Sequence, residues 1–537
     1  MKLHLKYKLF SIFNSLLLVG FLFSCAQRAT LTGGDKDVTP PAIKSTLPEN
    51  QTLNFAAKEI VVEFDEFVRL NNLQNQLIVS PLMQEKPEVM IKGKKVVIKL
   101  LDSLAENTTY SVNFGDAIID ITESNPYPNY KYVFSTGNYI DSLTYSGKVV
   151  NAEDLVPKAN VFVMLYNKNE MEIPIKEKPN YLTKTKTDGT FIITNVAKGS
   201  YKVFALDDIN GNYLFDLPNE QLAFLDEPIL LDSNFADSSL YLFAKESETQ
   251  FVKKIENKQY GKIDVEFNIP CKNIELLNLV GEAYQFSSKE SNTTQTKYSF
   301  WLSKEITDLQ QIFIVKDNGK IIDTAKIEMI PLKEFKDSTL ALRSNVSATF
   351  DLNKKIVLTA NQPISLFFKE KIKLFEDSIL VNVQIEKDSL SALNLNIIYP
   401  FKENSNYKLL VEPTAITSIY QLQNDTLASV FKTKKEEEYG NLKFTVVPDF
   451  NEKYIIQLLQ KNEKIEEFYY QGTKTINISY LNPGEYQVKL IIDRNDNKKW
   501  DTGNYQINLQ PERVVIFQDK IDIRKNWDNE IQWNIKL

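Results

Sequence analysis

Short runs of alternating apolar and polar residues recur along most of the chain. Residues 60–65 read Ile-Val-Val-Glu-Phe-Asp, and residues 201–206 read Tyr-Lys-Val-Phe-Ala-Leu. Alternate side chains of a strand face the same side of a sheet, so these runs predict strands. Turn pairs such as Asp188-Gly189 and Asn210-Gly211 separate them, and long runs with helical spacing are hard to find. The pattern predicts an all-β chain of sandwiches in series.

A first internal repeat links a tyrosine to a later phenylalanine. Residues 107–112 (Asn-Thr-Thr-Tyr-Ser-Val) precede residues 134–136 (Phe-Ser-Thr). Residues 404–409 (Asn-Ser-Asn-Tyr-Lys-Leu) precede residues 431–433 (Phe-Lys-Thr). In both copies the phenylalanine lies 24 residues after the tyrosine. Two copies of one sandwich domain explain this spacing most simply.

A second internal repeat ends in a loop rich in Asp and Asn. Its first copy contains Gly199, Tyr201, Val203, Asp208, Asn210, Asn212 and Asp216, and its second contains Gly484, Tyr486, Val488, Asp493, Asn495, Asn497 and Asp501. The glycine and the first aspartate are nine residues apart in both copies. Chance agreement over seven positions is improbable, so the chain is predicted to alternate two kinds of module.

The N-terminus has the layout of a secretion signal. Lys2, Lys6 and Lys8 form a basic segment, and the mostly apolar residues 9–23 that follow are too few for a typical spanning helix. The stretch Leu22-Phe-Ser-Cys25 resembles the lipobox of bacterial lipoproteins, in which the cysteine is acylated and becomes the new N-terminus. The resemblance implies a membrane anchor at Cys25. An ordinary cleaved signal with a chance cysteine, or an uncleaved anchor, is the alternative.

The expected location is the cell envelope, as an outer-membrane lipoprotein. Residues 26–41 are polar and contain Gly and Pro, so they are predicted to form a flexible tether. The segment after Cys25 has no acidic residue before Asp35. This leaves both orientations open, facing the periplasm or exposed at the cell surface.

Two cysteines and a mild acidic excess narrow the functional classes further. With Cys25 committed to lipid, Cys271 has no partner for a disulfide, so stability must come from apolar cores. The chain has 63 basic and 70 acidic residues and no basic cluster. Nucleic acid is therefore a poor candidate partner.

Histidine is the most informative residue count. The chain has one, His4, and it lies within the predicted signal. Without histidine, a nucleophilic serine or cysteine loses its usual base and zinc loses its commonest ligand. The triplet Asp501-Thr-Gly503 matches the aspartic-protease motif, but it occurs once and follows Lys499-Trp500 instead of apolar residues. The chain is predicted not to be an enzyme.

The two Asp/Asn loops are the candidate binding sites. Oxygen-bearing side chains at relative positions 1, 3, 5 and 9 are typical of calcium loops. The candidate ligands are Asp208, Asn210, Asn212 and Asp216 in the first loop, and Asp493, Asn495, Asn497 and Asp501 in the second. Neither loop has the glutamate expected at position 12 of such a site. The favoured interpretation is therefore a structural turn in which the side chains bind backbone N–H groups, with no cofactor, and calcium binding is the alternative.

Further motifs carry a resemblance to a known domain family. Residues 39–43, 45–48, 60–65 and 134–137 resemble the bacterial Ig-like domain of surface-layer proteins, the SbsA type. The resemblance covers about residues 38–137, and a degenerate copy covers about residues 345–434. Three short motifs near residues 147–149, 187–191 and 199–201 resemble prealbumin-like domains of adhesins and of carboxypeptidase regulatory regions.

These observations together predict a fold and a general role. The expected fold is all-β, with tandem Ig-like and prealbumin-like sandwiches behind a signal peptide and tether. The predicted segments are the signal 1–24, the tether 25–41, an Ig-like domain 42–137, a prealbumin-like sandwich 138–246, a sandwich of unclear type 250–342, a degenerate Ig-like repeat 345–435 and a second prealbumin-like sandwich 440–537.

The expected function is that of a lipid-anchored, non-catalytic envelope protein, a scaffold or assembly partner. Its expected partners are the membrane, through the lipid, and an envelope protein or polysaccharide. The alternative is a surface adhesin or glycan-binding lipoprotein, stabilised by calcium. Aromatic residues that would stack on sugars if exposed are Tyr469, Tyr470, Trp500, Trp527 and Trp533.

Overall fold

The protein is described from a computed structural model that covers residues 37–536, except 248, 280–285, 293, 304–308 and 332–338. The predicted signal, Cys25 and most of the tether lie outside the described residues. Within them, no helix has the length and apolar character needed to cross a membrane. The chain is all-β, as predicted, and we number its five sandwiches modules 1 to 5 by the segments predicted above.

Module 1 consists of two main sheets around an apolar core. Its strands are β1 (Ile43–Leu47), β2 (Glu59–Phe64), β3 (Val68–Leu70), β4 (Ile78–Ser80), β5 (Glu88–Lys92), β6 (Lys95–Lys99), β7 (Thr109–Gly115), β8 (Ile118–Asp120) and β9 (Tyr130–Ser135), with a one-turn helix at Leu73–Gln76. The sheets have the orders β1-β2-β6-β5 and β4-β7-β9, and β3 pairs with β8. In β2, Ile60, Val62 and Phe64 are fully buried, as their alternation predicts.

Module 2 follows with a single continuous path of strands. They are β10 (Leu143–Asn151), β11 (Phe162–Tyr166), β12 (Tyr181–Lys184), β13 (Thr190–Val196), β14 (Gly199–Asp207), β15 (Gln221–Phe224), β16 (Ile229–Leu231) and β17 (Phe235–Ala244), with a one-turn helix at Ile173–Lys176. The order is β12-β11-β14-β15-β17-β10-β13, and β16 also pairs with β14. Its first and last strands, β10 and β17, pair in parallel.

Module 3 is a smaller sandwich of four and three strands. They are β18 (Val252–Gln259), β19 (Lys262–Phe267), β20 (Ile274–Leu277), β21 (Phe286–Ser291), β22 (Lys297–Leu302), β23 (Gln310–Asp317) and β24 (Lys320–Glu328). The sheet orders are β18-β19-β22-β21 and β20-β23-β24. Cys271 is buried in the core of this module as a free thiol, and burial raises its pKa to about 12.

Module 4 begins with β25, whose first residue, Leu342, is the last residue of the preceding predicted segment. Its strands are β25 (Leu342–Ser344), β26 (Thr349–Phe350), β27 (Ile356–Ala360), β28 (Ile364–Phe367), β29 (Ile372–Glu376), β30 (Ile379–Val381), β31 (Gln384–Lys387), β32 (Asn394–Ile398), β33 (Asn406–Val411), β34 (Ile416–Ser418) and β35 (Leu427–Thr433), with a 3-10 turn at Lys369–Lys371. The orders are β25-β27-β32-β31 and β26-β35-β33-β29-β30, and β28 pairs with β34.

Module 5 completes the chain. A 3-10 turn at Glu436–Glu438 precedes it, and another lies at Tyr505–Ile507. Its strands are β36 (Gly440–Pro448), β37 (Lys453–Gln460), β38 (Glu463–Gln471), β39 (Lys474–Leu481), β40 (Gly484–Asp493), β41 (Val514–Ile516), β42 (Ile521–Ile523) and β43 (Asp528–Ile535). The orders are β39-β36-β43 and β38-β37-β40-β41, with β42 pairing with β40. The first and last strands, β36 and β43, again pair in parallel.

Modules 1 and 4 share strand order and side-chain contacts. The sheet β1-β2-β6-β5 corresponds to β25-β27-β32-β31, and β4-β7-β9 corresponds to β29-β33-β35. The Tyr110 hydroxyl accepts the Ala105 N–H at 2.9 Å. Its counterpart Tyr407 accepts the Lys402 N–H at 3.0 Å. Each tyrosine ring stacks on the phenylalanine 24 residues later with ring centroids 5.3 Å apart.

Modules 2 and 5 correspond in the same way. Strands β12-β11-β14-β15 match β38-β37-β40-β41, and β17-β10-β13 match β43-β36-β39. The Tyr201 hydroxyl donates to the Ala197 carbonyl at 2.9 Å, and the Tyr486 hydroxyl donates to the Asn482 carbonyl at 2.8 Å. Each bond reaches four residues back along the chain. The second sequence repeat therefore marks two sandwiches of one topology.

Candidate functional site

The first Asp/Asn loop follows β14 and is closed by hydrogen bonds among its own residues. The Asp208 carboxylate accepts the backbone N–H groups of Gly211 and Tyr213 at 2.7 and 2.8 Å. The side-chain amides of Asn210 and Asn212 donate to the two oxygens of Asp216, at 3.0 and 2.7 Å. All four predicted residues are thus brought together.

The second loop follows β40 and repeats this arrangement. The Asp493 carboxylate accepts the N–H groups of Asn497 and Lys498 at 3.1 and 2.9 Å. The side-chain amides of Asn495 and Asn497 donate to one oxygen of Asp501, at 2.6 and 2.5 Å. The predicted residues of the second loop also lie together.

A buried glutamate lies against each loop, and the sequence analysis did not identify either one. Glu220 accepts the N–H groups of Ile209, Asp216 and Leu217 at 3.1 to 3.2 Å. Glu512 accepts those of Arg494 and Asp501 at 2.8 and 3.1 Å. The glutamates lie 12 and 19 residues after the first loop aspartate, so no common spacing revealed them.

Burial and hydrogen bonding act in opposite directions on the pKa of the Glu512 carboxyl. Removal from water raises its pKa, and the nearby Asp501 and Asp493 charges add to that effect. The two backbone N–H groups act in the other direction, but the net direction is upward. Glu512 therefore stabilises the backbone of the loop, because each of its two oxygens accepts a hydrogen bond from a backbone N–H group.

These contacts support the structural-turn interpretation of both loops. The carboxylates and amides bind backbone N–H groups and one another, as Asx turns do. The described part of the chain contains no group of three or more His, Cys, Asp or Glu residues placed to hold a metal ion. Calcium binding at these loops stays a prediction.

The second loop continues into a contact with module 2. The Thr502 hydroxyl donates to the Ala244 carbonyl at 2.6 Å, and a Cβ on Gly503 would lie 2.7 Å from the Phe243 ring. Glycine at this position therefore leaves room for the Phe243 ring. The Asp501-Thr-Gly503 triplet is part of this loop and contact, and Asp501 accepts the two asparagine amides there.

Tyr505 is the center of this contact. Its ring is 4% exposed and packs edge-to-face on Phe204 and Phe224 of module 2, with ring centroids 5.5 and 5.0 Å apart. Its hydroxyl donates to the Met171 carbonyl. Burial raises the Tyr505 pKa to about 12. The ring completes an apolar cluster on the outer face of β11, β14 and β15.

Leu155 makes the reciprocal contact from module 2. It packs on the outer face of the module 5 sheet, against a cluster that contains Ile455, Ile491 and Val514. On β40, Val488, Leu490 and Ile492 fill the interior, whereas Ile491 lies on the opposite face, in the cluster that Leu155 contacts. Both faces of these sheets are therefore buried, which explains their nearly continuous apolar runs.

A cleft of about 360 Å³ lies where the two modules meet. Module 2 contributes Ala152, Phe224, Leu225, Asp226, Ser239 and Tyr241, and module 5 contributes the segment 510–514. The Gln510 side-chain amide bridges the modules by donating to the Phe224 carbonyl and the Asp226 carboxylate, at 3.0 and 2.9 Å. The cleft exists only because the two modules touch.

The predicted aromatic residues do not form one surface. Trp533 is buried in the module 5 core, and Trp500 packs in the contact with module 2. Tyr470 is partly buried against the module 5 core. Tyr469 and Trp527 are 42% and 57% exposed.

Comparisons with known proteins identify one domain. Residues 37–136 match the family model of the bacterial Ig-like domain. Module 1 is therefore a bacterial Ig-like domain, as the sequence resemblance predicted. None of the curated proteins matches the chain.

Several solved structures are similar to the chain at low identity. The major pilin subunit BcpA of Bacillus cereus is 9% identical, with 73% of this chain and 99% of that chain covered and a TM-score of 0.14. The Bacillus anthracis TIE protein is 11% identical, with 94% and 76% covered and a TM-score of 0.15. The S-layer protein SbsC is 8% identical, with 90% and 67% covered and a TM-score of 0.15.

Proposed function

We propose that the protein is a lipid-anchored, non-catalytic structural protein of the bacterial cell envelope, which holds a partner through its joined modules. The acyl chains on Cys25 insert into the outer membrane, and residues 26–41 form the tether to the modules. Acyl chains contribute about 0.8 kcal/mol per buried methylene, so several of them anchor a chain stably. The bacterial Ig-like domain at residues 37–136 supports an envelope location.

The observation that carries the structural role is the contact between modules 2 and 5. Tyr505 and Leu155 each bury an apolar side chain on the outer sheet face of the other module. Modules that are adjacent in sequence also contact each other. The Lys131 ammonium group donates to the Asn195 side-chain oxygen at 3.0 Å, which joins modules 1 and 2. The Tyr420 hydroxyl donates to the Leu302 carbonyl at 2.8 Å, which joins modules 4 and 3. Such contacts fix the modules relative to one another, which suits a scaffold.

The anchor is tested by membrane fractionation of a Cys25→Ser variant. The wild-type protein should sediment with outer membranes, and C25S should be released or remain in the inner membrane unprocessed. The matched control is Cys271→Ser, because this thiol is buried in module 3 and receives a hydrogen bond from Gln250 at 3.2 Å. If the C25S variant were still found in the outer membrane, the proposed anchor at Cys25 would be contradicted.

The scaffold role is separated from an adhesin role by protease treatment of intact cells. A scaffold facing the periplasm should survive protease until the outer membrane is opened, and crosslinking should recover a defined protein partner. A surface adhesin should be cut in intact cells and should bind polysaccharide arrays. Cleavage in intact cells together with array binding would overturn the scaffold assignment.

A further inference from the structure

We propose that the outer face of the sheet β26-β35-β33-β29-β30 in module 4 binds module 5 of a second copy of the chain. The two surfaces correspond to the two sides of the contact between modules 1 and 2, and in modules 4 and 5 both are exposed. The inference goes beyond the proposed function, since neither the anchor nor the scaffold role requires self-association.

In module 1, the outer face of the sheet β4-β7-β9 is covered by module 2. Lys131 lies on this face of β9, between two tyrosines of the core. Its ammonium group donates to the Thr194 hydroxyl and the Asn195 side-chain oxygen of module 2, at 2.6 and 3.0 Å. On β7, the Thr109 hydroxyl accepts the N–H of Asp141, which leads into module 2, at 2.9 Å. The outer face of this sheet is therefore a docking surface for the sandwich that follows.

The corresponding face of module 4 is exposed. Phe134 and Phe431 hold the same place in the first repeat, each stacked on its tyrosine. The residues before them, Val133 and Val430, therefore correspond as well. Both lie on the outer face, because the phenylalanine beside each belongs to the core. Val133 is 6% exposed, whereas Val430 is 71% exposed.

Module 5 is attached to module 4 in a different way. Ala428 stands where module 1 has Lys131, so module 4 lacks the lysine that binds the following sandwich in the first repeat. Lys434, just after β35, donates instead to the Asn482 side chain of module 5 at 2.5 Å. Module 5 of the same chain thus leaves the position of Val430 uncovered.

Module 5 has an exposed counterpart of the module 2 surface. Strand pairing counted from the repeated glycine makes Lys184 of β12 equivalent to Tyr469 of β38. Lys184 donates to the Asn75 carbonyl of module 1 at 3.0 Å, whereas Tyr469 is 42% exposed. Thr194 and Ser479 correspond too, since each lies five residues before that glycine, and Ser479 is exposed. Both halves of the repeated contact are therefore free in modules 4 and 5.

The face of module 4 combines apolar and basic side chains. One row across its strands consists of Leu380, Phe375, Lys408 and Val430. Lys408 and Lys432 form no ion pair with a described residue, while Lys373 is paired with Glu412 at 2.5 Å. Asp377, at the edge of the face, accepts the side-chain amide of Asn406 at 3.3 Å. Two unpaired lysines thus lie among exposed apolar side chains.

The edge strand of module 5 combines apolar and acidic side chains. The charged residues of β38 are Glu463, Lys464, Glu466 and Glu467. Lys464 pairs with Glu467 at 2.9 Å, and the other two glutamates have no ion pair among the described residues. Even with Lys461 of the preceding turn, acidic residues remain in excess over residues 461–471. Ile465 and Tyr469 are each 42% exposed. The charges of the two surfaces are therefore complementary.

The test is sedimentation velocity of the full-length protein purified in detergent, at about 1 to 100 µM. We expect the wild type to form a species that contains two or more chains. Val430→Glu should raise the dissociation constant at least about tenfold, because it buries a carboxylate against an acidic strand. The matched control is Ile321→Glu, which changes an apolar residue that is 63% exposed on β24 of module 3 and should leave association unchanged.

A second variant guards against a folding defect. The Lys408→Glu, Lys432→Glu double variant changes two exposed side chains and leaves the core intact. It should weaken association in the same way as V430E, and adding salt should weaken the association of the wild type.

A mixing experiment identifies the surface that the second copy contributes. Ile465→Lys places a cation on β38, which the lysines of module 4 would repel, so this variant alone should associate weakly. An equal mixture of V430E and I465K still contains one intact module 4 face and one intact module 5 strand. The mixture should therefore associate more strongly than either variant alone.

Four results would overturn the proposal. They are a wild type that stays monomeric over the whole range, association that V430E and the lysine double variant leave unchanged, an equal loss for I321E, and a mixture that associates no better than its components. The membrane-anchor and protease tests of the proposed function do not depend on self-association, so a failure here leaves them unaffected.

Discussion

The ring of Tyr505 in module 5 packs edge-to-face on the ring of Phe204 in module 2, with centroids 5.5 Å apart and planes at 90°. The two residues come from different regions of the repeated sandwiches. Phe204 lies on β14, whereas Tyr505 lies in the 3-10 turn that follows β40. Their contact joins segments about 300 residues apart in sequence, and each ring removes the other from water.

The first prediction concerns Tyr505→Ala. The substitution removes a fully packed ring from the contact, so the free energy of unfolding should fall by about 3 to 5 kcal/mol. Urea denaturation followed by tryptophan fluorescence measures this loss, and Trp500 lies in the same contact.

Two control variants separate the ring from its surroundings. Tyr505→Phe removes only the hydroxyl bond to Met171 and should cost about 1 kcal/mol. Ile507→Ala changes a side chain in the same 3-10 turn that is 67% exposed, and should stay within about 0.5 kcal/mol of wild type. An equal loss for I507A and Y505A would contradict the packing account.

The second prediction tests whether the contacts made by Tyr505 and by Leu155 act as one unit. Leu155→Ala should destabilise the protein by about 1 to 2 kcal/mol because Leu155 is partly buried, while its exposed neighbour Val156→Ala should have little effect. The double variant with Tyr505→Ala should lose less than the sum of the single losses, because one substitution already opens the contact. Additive losses in the double-mutant cycle would show two independent contacts.

The sequence predicted the sandwiches and both repeats because period-two alternation and the Tyr-to-Phe spacing are local signals. It missed the contact between modules 2 and 5, although part of that contact was visible. In β14, Phe204 and Leu206 are apolar at positions where a solvent-facing strand carries polar side chains. That pattern indicates that the outer face of β14 is covered. It does not indicate which residues cover it, because they lie about 300 residues later, in module 5.

The loops show a different limit. The eight Asp and Asn side chains of the repeated pattern lie in the two loops, but the pattern did not find Glu220 or Glu512. These residues reach the loops from chain segments of different length, so only the folded structure brings them to equivalent positions.

The third prediction distinguishes a structural turn from a calcium site. Because the loop side chains already bind one another and the backbone, the melting midpoint should not change when about 5 mM calcium is added. A site with a Kd of about 10⁻⁴ to 10⁻³ M would instead gain about 1 to 2 kcal/mol. A rise in wild type that is absent from the Asp208→Asn, Asp493→Asn double variant would establish calcium binding.

The fourth prediction concerns pH and the Glu376 carboxylate of module 4. Hydrogen bonds from Lys402 and Tyr399, both at 2.5 Å, hold its pKa below the usual value of 4.5. The bonded carboxylate therefore stabilises the fold above that value, and the stabilisation is lost as pH falls through the lowered pKa.

Lys402→Met should accordingly destabilise the protein at neutral pH, and the difference from wild type should shrink as the pH falls below 4.5 and through the lowered pKa of Glu376. Lys408→Met, which changes a lysine of β33 with no ion pair among the described residues, serves as the control. Urea midpoints across this pH range measure both variants. A difference for K402M that persists undiminished at the acid end would contradict the assignment.

The central claim of the account is the lipid anchor at Cys25, and mass spectrometry of the mature N-terminal peptide tests it most directly. The protein is purified from its native membranes and digested with trypsin. The account predicts a peptide that begins at Cys25 and carries acyl chains on that residue. A mature chain that begins at any other residue, or an unmodified Cys25, would contradict it.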